Sequence, residues 1–169
     1  NMNGGKISLI KNNEDGSNTY FSIARGYKQG GFNLGLDATD SSVKESLIYD
    51  PEFLTNYEIG FSSKAGENFN YSSTIFYSKR NDQQVLISKQ VDPSDPNTFS
   101  FLTQNAAEGE NYGLEISSNY SATNNLYIFA NLGILKTKII NWESRADLEN
   151  RAQAHAPQQT YSILSLIHI

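Results

Sequence analysis

The feature that most constrains this chain is an alternation of apolar and polar residues that continues over unusually long stretches. From Phe69 to Tyr77 the odd positions are mainly aromatic or aliphatic, and the even positions are polar apart from Phe76. From Tyr112 to Tyr120 the even positions read Tyr, Leu, Ile, Ser and Tyr. Because successive side chains of a strand point to opposite faces, this period of two predicts strands with one apolar and one polar face.

The same alternation predicts about seven antiparallel strands. The connections between them alternate between short polar turns and long segments. Two of the strands run to about twenty residues, against about 5–6 in an ordinary strand and about 9–11 in a tilted membrane crossing. Their apolar stretches span about eight residue steps, or roughly 20 Å at a tilt of about 40°, close to the apolar band of a membrane barrel. We expect strands near residues 6–10, 19–28, 55–64, 69–90, 98–121, 126–140 and 158–163.

The predicted fold class is therefore all-β: antiparallel transmembrane β-barrel strands with long hairpins, tight turns at one end and long loops at the other. On this interpretation Arg25, at the end of its strand, leaves the lipid band at the rim, where a charge costs little. Gly26 and Gly30 follow it and allow the chain to turn into a long loop. A soluble sandwich would need a second sheet to cover the aromatic face.

Composition excludes several other classes. The 169 residues contain no Cys, so neither a disulfide framework nor a Cys metal site is possible. A net charge of −5 without any basic run argues against nucleic acid as a partner. No run approaches the roughly 18 consecutive apolar residues of a membrane helix. With two His residues and no paired carboxylates in a cleft, the sequence predicts no catalytic residues, no metal site and no cofactor; we expect no enzyme.

Three motifs, in this order and spacing, resemble TonB-dependent outer-membrane receptors. They are YFSIARGYKQGGFN at residues 20–33, YDPEFLTNYEIGF at 49–61 and NAAEGENYGLEISSNY at 105–120. The resemblance covers about residues 6–163 and implies a barrel of about 22 strands around a globular plug. It also implies uptake of a scarce ligand, such as an iron chelate, cobalamin or a glycan, driven by the TonB energy-coupling complex.

The resemblance sets the expected domains and partners. Residues 1–163 would be part of the C-terminal region of the barrel domain, with the plug domain and the TonB-contacting segment outside this sequence. The last six residues, LSLIHI at 164–169, break the alternation and match the translation of a transposase adaptor used in sequencing libraries. We expect them not to be native; a natural apolar strand end is the alternative. The expected location is the outer membrane of a Gram-negative bacterium, in contact with its lipid.

Candidate site residues follow from the predicted faces and loops. Glu58 and Glu115 fall on the polar face and are expected to face the lumen and the plug. Bonding to neighbouring strand residues is the alternative role for both. Four residues of the long loops could stack on a ligand or pair with its anionic groups, and packing of the loops themselves is the alternative and more common role: Phe32, Tyr49, Trp142 and Arg145.

Two other functions fit the same pattern. One is a passive, porin-type outer-membrane barrel, and the other is a surface β protein that binds a partner without transport. Aromatic residues on the polar face suit a plugged lumen better than a charged water channel, and they include Phe76, Tyr127 and Phe129. An energy-coupled receptor is therefore the favoured interpretation.

Overall fold

The computed structural model describes residues 2–34, 36, 44, 46–90 and 94–168, and almost all of the secondary structure is β. A short, kinked 3₁₀ segment occupies Glu143–Leu148. No helix in the described part of the chain is long and apolar enough to span a membrane. The strands are β1 Gly5–Asn12, β2 Asn18–Lys28, β3 Gly31–Phe32, β4 Ile48–Tyr49, β5 Glu52–Ala65, β6 Phe69–Gln90, β7 Phe99–Thr123, β8 Leu126–Trp142 and β9 Gln159–Ile167.

Seven of these strands form one antiparallel sheet in the order β1-β2-β5-β6-β7-β8-β9. Every neighbour in the sheet is also the neighbour along the chain, apart from the small β3–β4 hairpin inserted between β2 and β5. The sheet is open, with β1 and β9 as its two edges. The predicted seven antiparallel strands and their order are thus confirmed.

The register gives the sheet two chemically distinct faces. Residues directly opposite each other on neighbouring strands share a face, so each cross-strand row can be assigned to one side. We call one side the apolar face; a typical row on it is Phe21, Ile59, Ile75, Leu114 and Ile134. We call the other the polar face; its adjacent row is Tyr20, Gly60, Thr74, Glu115 and Gly133.

The two ends of the sheet also differ. At the turn end, the strands are joined by residues 13–17, 66–68 and 124–125; at the loop end, they are joined by 29–51, 91–98 and 143–158. Residues 91–93 of the predicted loop-end turn lie outside the described residues, as do 35, 37–43 and 45 of the first long connection. The predicted alternation of short and long connections is confirmed.

The central hairpin rises beyond its neighbours at the loop end. Strand β6 has 22 residues and β7 has 25, whereas β5 has 14. A bulge shifts the β6–β7 register between Arg80 and Gln84, and Asp82 adopts a positive φ of 55° there. Above the bulge the hairpin stands free of β5 and supplies a wall for the flanking loops.

Aromatic side chains border the apolar face at both ends. Near the loop end, the rings of Tyr57 and Tyr77 lie 6.3 Å apart. Near the turn end, Phe69 lies 5.6 Å from Tyr71 and 6.2 Å from Tyr120. The aliphatic residues between these two rows are exposed or half-buried, whereas the buried apolar residues of the described chain are few: Leu102, Ala107 and Ile139. The described residues therefore provide no covering layer for the apolar face.

Candidate functional site

Glu58 is the centre of a hydrogen-bond network on the polar face. Its carboxylate accepts from Ser22 Oγ at 3.2 Å and from Asn56 Nδ2 at 2.7 Å. Asn56 Oδ1 in turn accepts from Ser78 Oγ at 2.6 Å. Ser22 is 1% exposed, so its hydroxyl is satisfied by this carboxylate rather than by water. The network links β2, β5 and β6 and holds the Glu58 side chain in place against the strands.

Glu115 lies one row closer to the turn end and remains exposed. It stands opposite Thr74 on β6 and Gly133 on β8. Farther along the same row, the Tyr20 hydroxyl lies 3.2 Å from Thr74 Oγ1, and the Tyr20 ring occupies the space that a Cβ at position 60 would need. Gly60 is thus required for the Tyr20 ring to lie flat across the strand. The polar face here offers hydroxyl groups and one free carboxylate side by side.

The first long connection is fastened to the central hairpin by amide side chains. Asn105 Nδ2 donates to the Asp50 carbonyl at 2.8 Å and to the Asp82 carbonyl at 2.9 Å, and its Oδ1 accepts from Asp50 N–H at 2.6 Å. Gln84 Nε2 donates to the carbonyls of Gln29 and Asp50 at 2.9 and 3.0 Å. Both ends of the 29–51 connection are therefore tied to β6 and β7.

A second amide fastens the middle of the same connection. Asn33 Nδ2 donates to the carbonyls of Ser46 and Thr103 at 2.7 and 2.8 Å, and Asn33 Oδ1 accepts from Thr103 N–H at 2.8 Å. At the foot of the connection, Glu52 Oε2 accepts from the backbone N–H of Gln84 at 2.9 Å, and Glu52 Oε1 lies 3.3 Å from Arg80 Nε. The contacts with Thr103, Asn105 and Gln84 hold this loop against the upper part of β7 and β6.

The last long connection folds back onto the polar face. Ile139 N–H donates to the Arg151 carbonyl at 2.9 Å, and Asn150 N–H donates to the Ile139 carbonyl at 2.8 Å. Gln153 then reaches across the sheet: its backbone N–H donates to Thr137 Oγ1 at 2.8 Å and its Nε2 donates to Asn111 Oδ1 at 2.9 Å. The segment 149–153 thus covers the loop end of the polar face beside β7 and β8.

The four predicted ligand-binding residues fall into two pairs. Phe32 and Tyr49 lie on the paired strands β3 and β4, where Phe32 is 68% exposed and the Tyr49 ring covers Gly31. Trp142 ends β8, and its backbone N–H donates to Glu149 Oε1 at 3.3 Å. Phe32 thus presents an open aromatic surface, whereas Tyr49 packs on its own hairpin.

Arg145 is engaged within its own loop. Its guanidinium donates to both carboxylate oxygens of Asp147, at 2.8 and 3.0 Å. These hydrogen bonds lower the pKa of the Asp147 carboxyl and raise that of Arg145. Both side chains are more than half exposed, so the pair is open to exchange with an anion from solution. Within the described residues, no three His, Asp or Glu side chains gather as a metal site.

Sequence reasoning did not identify the amides that position the loops, namely Asn33, Gln84, Asn105 and Gln153. One signal was available. Asn33 is the last residue of the first motif, Asp50 is the second residue of the next, and Asn105 is the first residue of the third. The second and third motifs meet at their starts, and the first motif ends against Thr103, two residues before the third.

A family model described as "TonB dependent receptor-like, beta-barrel" matches residues 6–166. Among solved structures, the ferric yersiniabactin uptake receptor FyuA of Yersinia pestis matches 96% of this chain with a TM-score of 0.73 and 17% identity. The copper transporter OprC matches 95% with a TM-score of 0.66 and 13% identity. The ferric-catecholate import receptor Fiu of E. coli K12 matches 96% with a TM-score of 0.63 and 15% identity.

In each comparison this chain spans less than a quarter of the other protein, namely 22%, 23% and 22% of the three chains. At these identities the likeness concerns the fold. It shows that the seven-stranded sheet has the architecture of a section of such a barrel wall, which accounts for its two open edges.

Proposed function

This chain belongs to the TonB-dependent receptor-like β-barrel family, and from that premise we propose that it is part of an outer-membrane receptor for energy-coupled uptake of a scarce small molecule. The apolar face meets the lipid of a Gram-negative outer membrane, and the polar face meets the receptor's own plug domain. The TonB complex acts through the part of the receptor that contains the plug. The supporting observation is the pair of long loops fastened to β7 on and above the polar face.

We propose a metal chelate, and foremost an iron chelate, as the ligand. Ferric chelates appear in the names of FyuA and Fiu, and copper in that of OprC. On this chain, Phe32 and Trp142 supply aromatic surface, and Arg145 supplies a forked donor suited to carboxylate or hydroxamate oxygens. Tyr49 packs on Gly31, the neighbour of Phe32, from the paired strand. The same aromatic groups would also serve a cobalamin or glycan ligand, which are the other ligand classes to test.

Glu58 and Glu115 receive different roles in this proposal. Glu58 is held by Ser22 and Asn56 and therefore shapes the inner wall. Glu115 is exposed on the polar face and is the carboxylate that contacts the plug.

We further propose that residues 1–163 are the native part and that 164–169 derive from an adaptor. Strand β9 includes Leu164 opposite Phe129. Both a native and an adaptor-derived segment could form this pairing, so sequencing the intact gene is the test.

The function is tested with the intact receptor gene in cells that do or do not carry a working TonB complex. We expect uptake of a labelled ferric chelate to require both the receptor and TonB. Uptake that is unchanged without TonB would instead identify a passive, porin-type barrel. A receptor that is absent from the outer membrane would favour a surface protein of another kind.

A loop variant tests the site within the same assay. Deleting residues 144–148 removes Arg145 and most of the 3₁₀ segment but leaves the hydrogen bonds from Ile139 to Asn150 and Arg151. Residues 143, 149 and 150 then remain to span the gap. We expect ligand affinity to fall at least about tenfold, or about 1.4 kcal/mol, with the heat-modifiable barrel intact. Unchanged affinity with normal assembly would place the binding surface on other parts of the receptor.

A further inference from the structure

A row of charged residues crosses the apolar face just beyond its loop-end tyrosines. The tyrosine row contains Tyr57, Tyr77 and Tyr112, with Lys136 next to them on β8. The next row toward the loop end reads Arg25, Thr55, Lys79, Glu110 and Lys138 on five consecutive strands of the sheet. We call the four cations together the cation band: Arg25, Lys79, Lys136 and Lys138.

The cation band is only partly neutralised. Lys79 Nζ lies 3.6 Å from Glu108 Oε2, and both side chains are about two-fifths exposed, at 43% and 40%. Glu110 accepts a hydrogen bond from the Tyr77 hydroxyl at 3.1 Å. Within the described part of the chain, no carboxylate lies within 4 Å of the charged nitrogens of Arg25, Lys136 or Lys138. Four cations thus face two carboxylates, although the whole chain has a net charge of −5.

The opposite end of the same face is different. The turns there contain Glu14, Asp15 and Glu67, and Lys11 is the outward cation next to them, opposite Thr19. The excess of positive charge is therefore specific to the loop end. All four members of the cation band lie on β2, β6 and β8, which have a neighbouring strand on both sides. Strands that complete the barrel wall would leave this band uncovered.

We propose that the cation band binds the phosphate groups of phosphorylated lipid headgroups in the outer leaflet. This inference rests on the proposed function, because it requires the apolar face to lie in an outer membrane with the long loops outside. Aromatic rings of a membrane barrel lie at the interface, so cations one row beyond them are at the height of the headgroups. Arg25 is already oriented, since its guanidinium lies 4.5 Å from the centre of the Phe53 ring.

The spacing suits a headgroup with more than one phosphate. Lys79 and Lys138 are two strands apart, or about 10 Å, and Lys136 and Lys138 are two residues apart on one strand, or about 7 Å. An ammonium group binds phosphate as a point charge, so these lysines tolerate some variation in phosphate position. Each basic residue near an anionic lipid surface contributes about a factor of five to binding, equivalent to roughly 1 kcal/mol.

The test uses the intact receptor, purified in a non-ionic detergent, and native mass spectrometry with bis-phosphorylated lipid A and its dephosphorylated form as probes. The double substitution Lys136→Gln and Lys138→Gln is compared with Lys11→Gln, an outward lysine at the other end of the same face. We expect the double variant to bind phosphorylated lipid A about twentyfold more weakly and Lys11→Gln to bind it normally. The double substitution to Arg should retain binding.

Three outcomes would overturn the inference: equal binding by the double variant, equal binding of the dephosphorylated lipid, or full displacement of the lipid by an equimolar amount of inorganic phosphate. Outer-membrane location and chelate uptake are measured on the same variants. A receptor that reaches the outer membrane and transports its ligand without selective binding of phosphorylated lipid would reject the cation band and leave the proposed function standing. An unsubstituted receptor that fails to reach the outer membrane would reject both.

Discussion

The side chain of Asn105 pairs with the backbone of Asp50 in both directions. Its Nδ2 donates to the Asp50 carbonyl at 2.8 Å, and its Oδ1 accepts from the Asp50 N–H at 2.6 Å. The two residues are 55 positions apart in sequence. Their pairing joins the start of the second motif to the start of the third. It fixes where the first long connection meets the central hairpin, and mutations can test this contact.

Replacing Asn105 by Ala should loosen the 29–51 connection. The change removes three hydrogen bonds, each with a net contribution of about 1 kcal/mol, so local opening should become easier by roughly 2–3 kcal/mol. In the intact receptor, we expect trypsin to cleave after Lys44 at least about tenfold faster, because cleavage follows the open population when opening is rapid. Asn119→Ala is the matched control on the same strand. Equal cleavage rates in both variants would contradict the role of Asn105.

The two faces can be separated by placing the same charge on adjacent residues of β7. Ile116 pairs with Ser73 and Leu132 on the apolar face, whereas Ser117 pairs with Ser72 and Asn131 on the polar face. In the intact receptor, Ile116→Arg should cost about 2–4 kcal/mol near the middle of the membrane. Ser117→Arg should cost less, because its face is polar. Equal losses, measured by reversible unfolding in lipid vesicles, would show that the register is displaced by one residue.

The 169-residue chain alone should not form a stable monomer in water. Ile75 is 59% exposed and Ile59 is 50% exposed, and nothing within the described chain covers their face. Strands β1 and β9 also present unpaired edges that promote association. We expect oligomers or aggregates by size-exclusion chromatography and no sharp thermal transition. A monomer that melts cooperatively in the absence of detergent would refute this expectation.

The first short turn should loosen in acid. Asp15 Oδ1 accepts from the Ser17 hydroxyl at 2.7 Å and from its N–H at 2.9 Å, and these hydrogen bonds lower the pKa of Asp15 below its ordinary value. A lowered pKa in the folded state means that the stabilisation is present above the ordinary value of 3.8 and is lost as the pH falls through the folded value.

Amide hydrogen exchange of residues 13–17 in the refolded receptor measures this effect after correction for intrinsic rates. We expect protection to persist above the ordinary value of 3.8 and to drop as the pH falls below it, toward the lowered pKa of Asp15 in the folded state. In Asp15→Asn the side-chain oxygen remains an acceptor but does not titrate, so the drop should disappear. A drop of the same size in that variant would assign the effect to other carboxyl groups.

The strands were predictable because their signal is local. Alternation in Phe69–Tyr77 and Tyr112–Tyr120 reports directly which side chains share a face, and in the structure Tyr77 and Tyr112 are paired on the apolar face. Strand β9 was expected to end at residue 163, because Leu164 and Leu166 break the alternation. The structure extends β9 to Ile167, since backbone pairing with β8 does not depend on which face is polar.

The loop contacts were not predictable from the same signal. Asn33 and Thr103 are 70 residues apart, and a side-chain amide that bonds a distant backbone leaves no periodic trace. The β3–β4 hairpin has two residues in each strand, too few for alternation to be visible. Arg145 was correctly placed in a long loop, but its pairing with Asp147 two residues away depends on the kinked 3₁₀ backbone.

Residues 103–111 of β7 anchor both long connections, through Thr103 and Asn105 for the first and Asn111 for the last. An insertion or deletion within this stretch would shift the two anchorages relative to each other by whole residues. We therefore expect a length change in residues 103–111 to affect both loops together during evolution. Homologues that change ligand range by remodelling one loop are expected to preserve the length of this stretch and to vary beyond it.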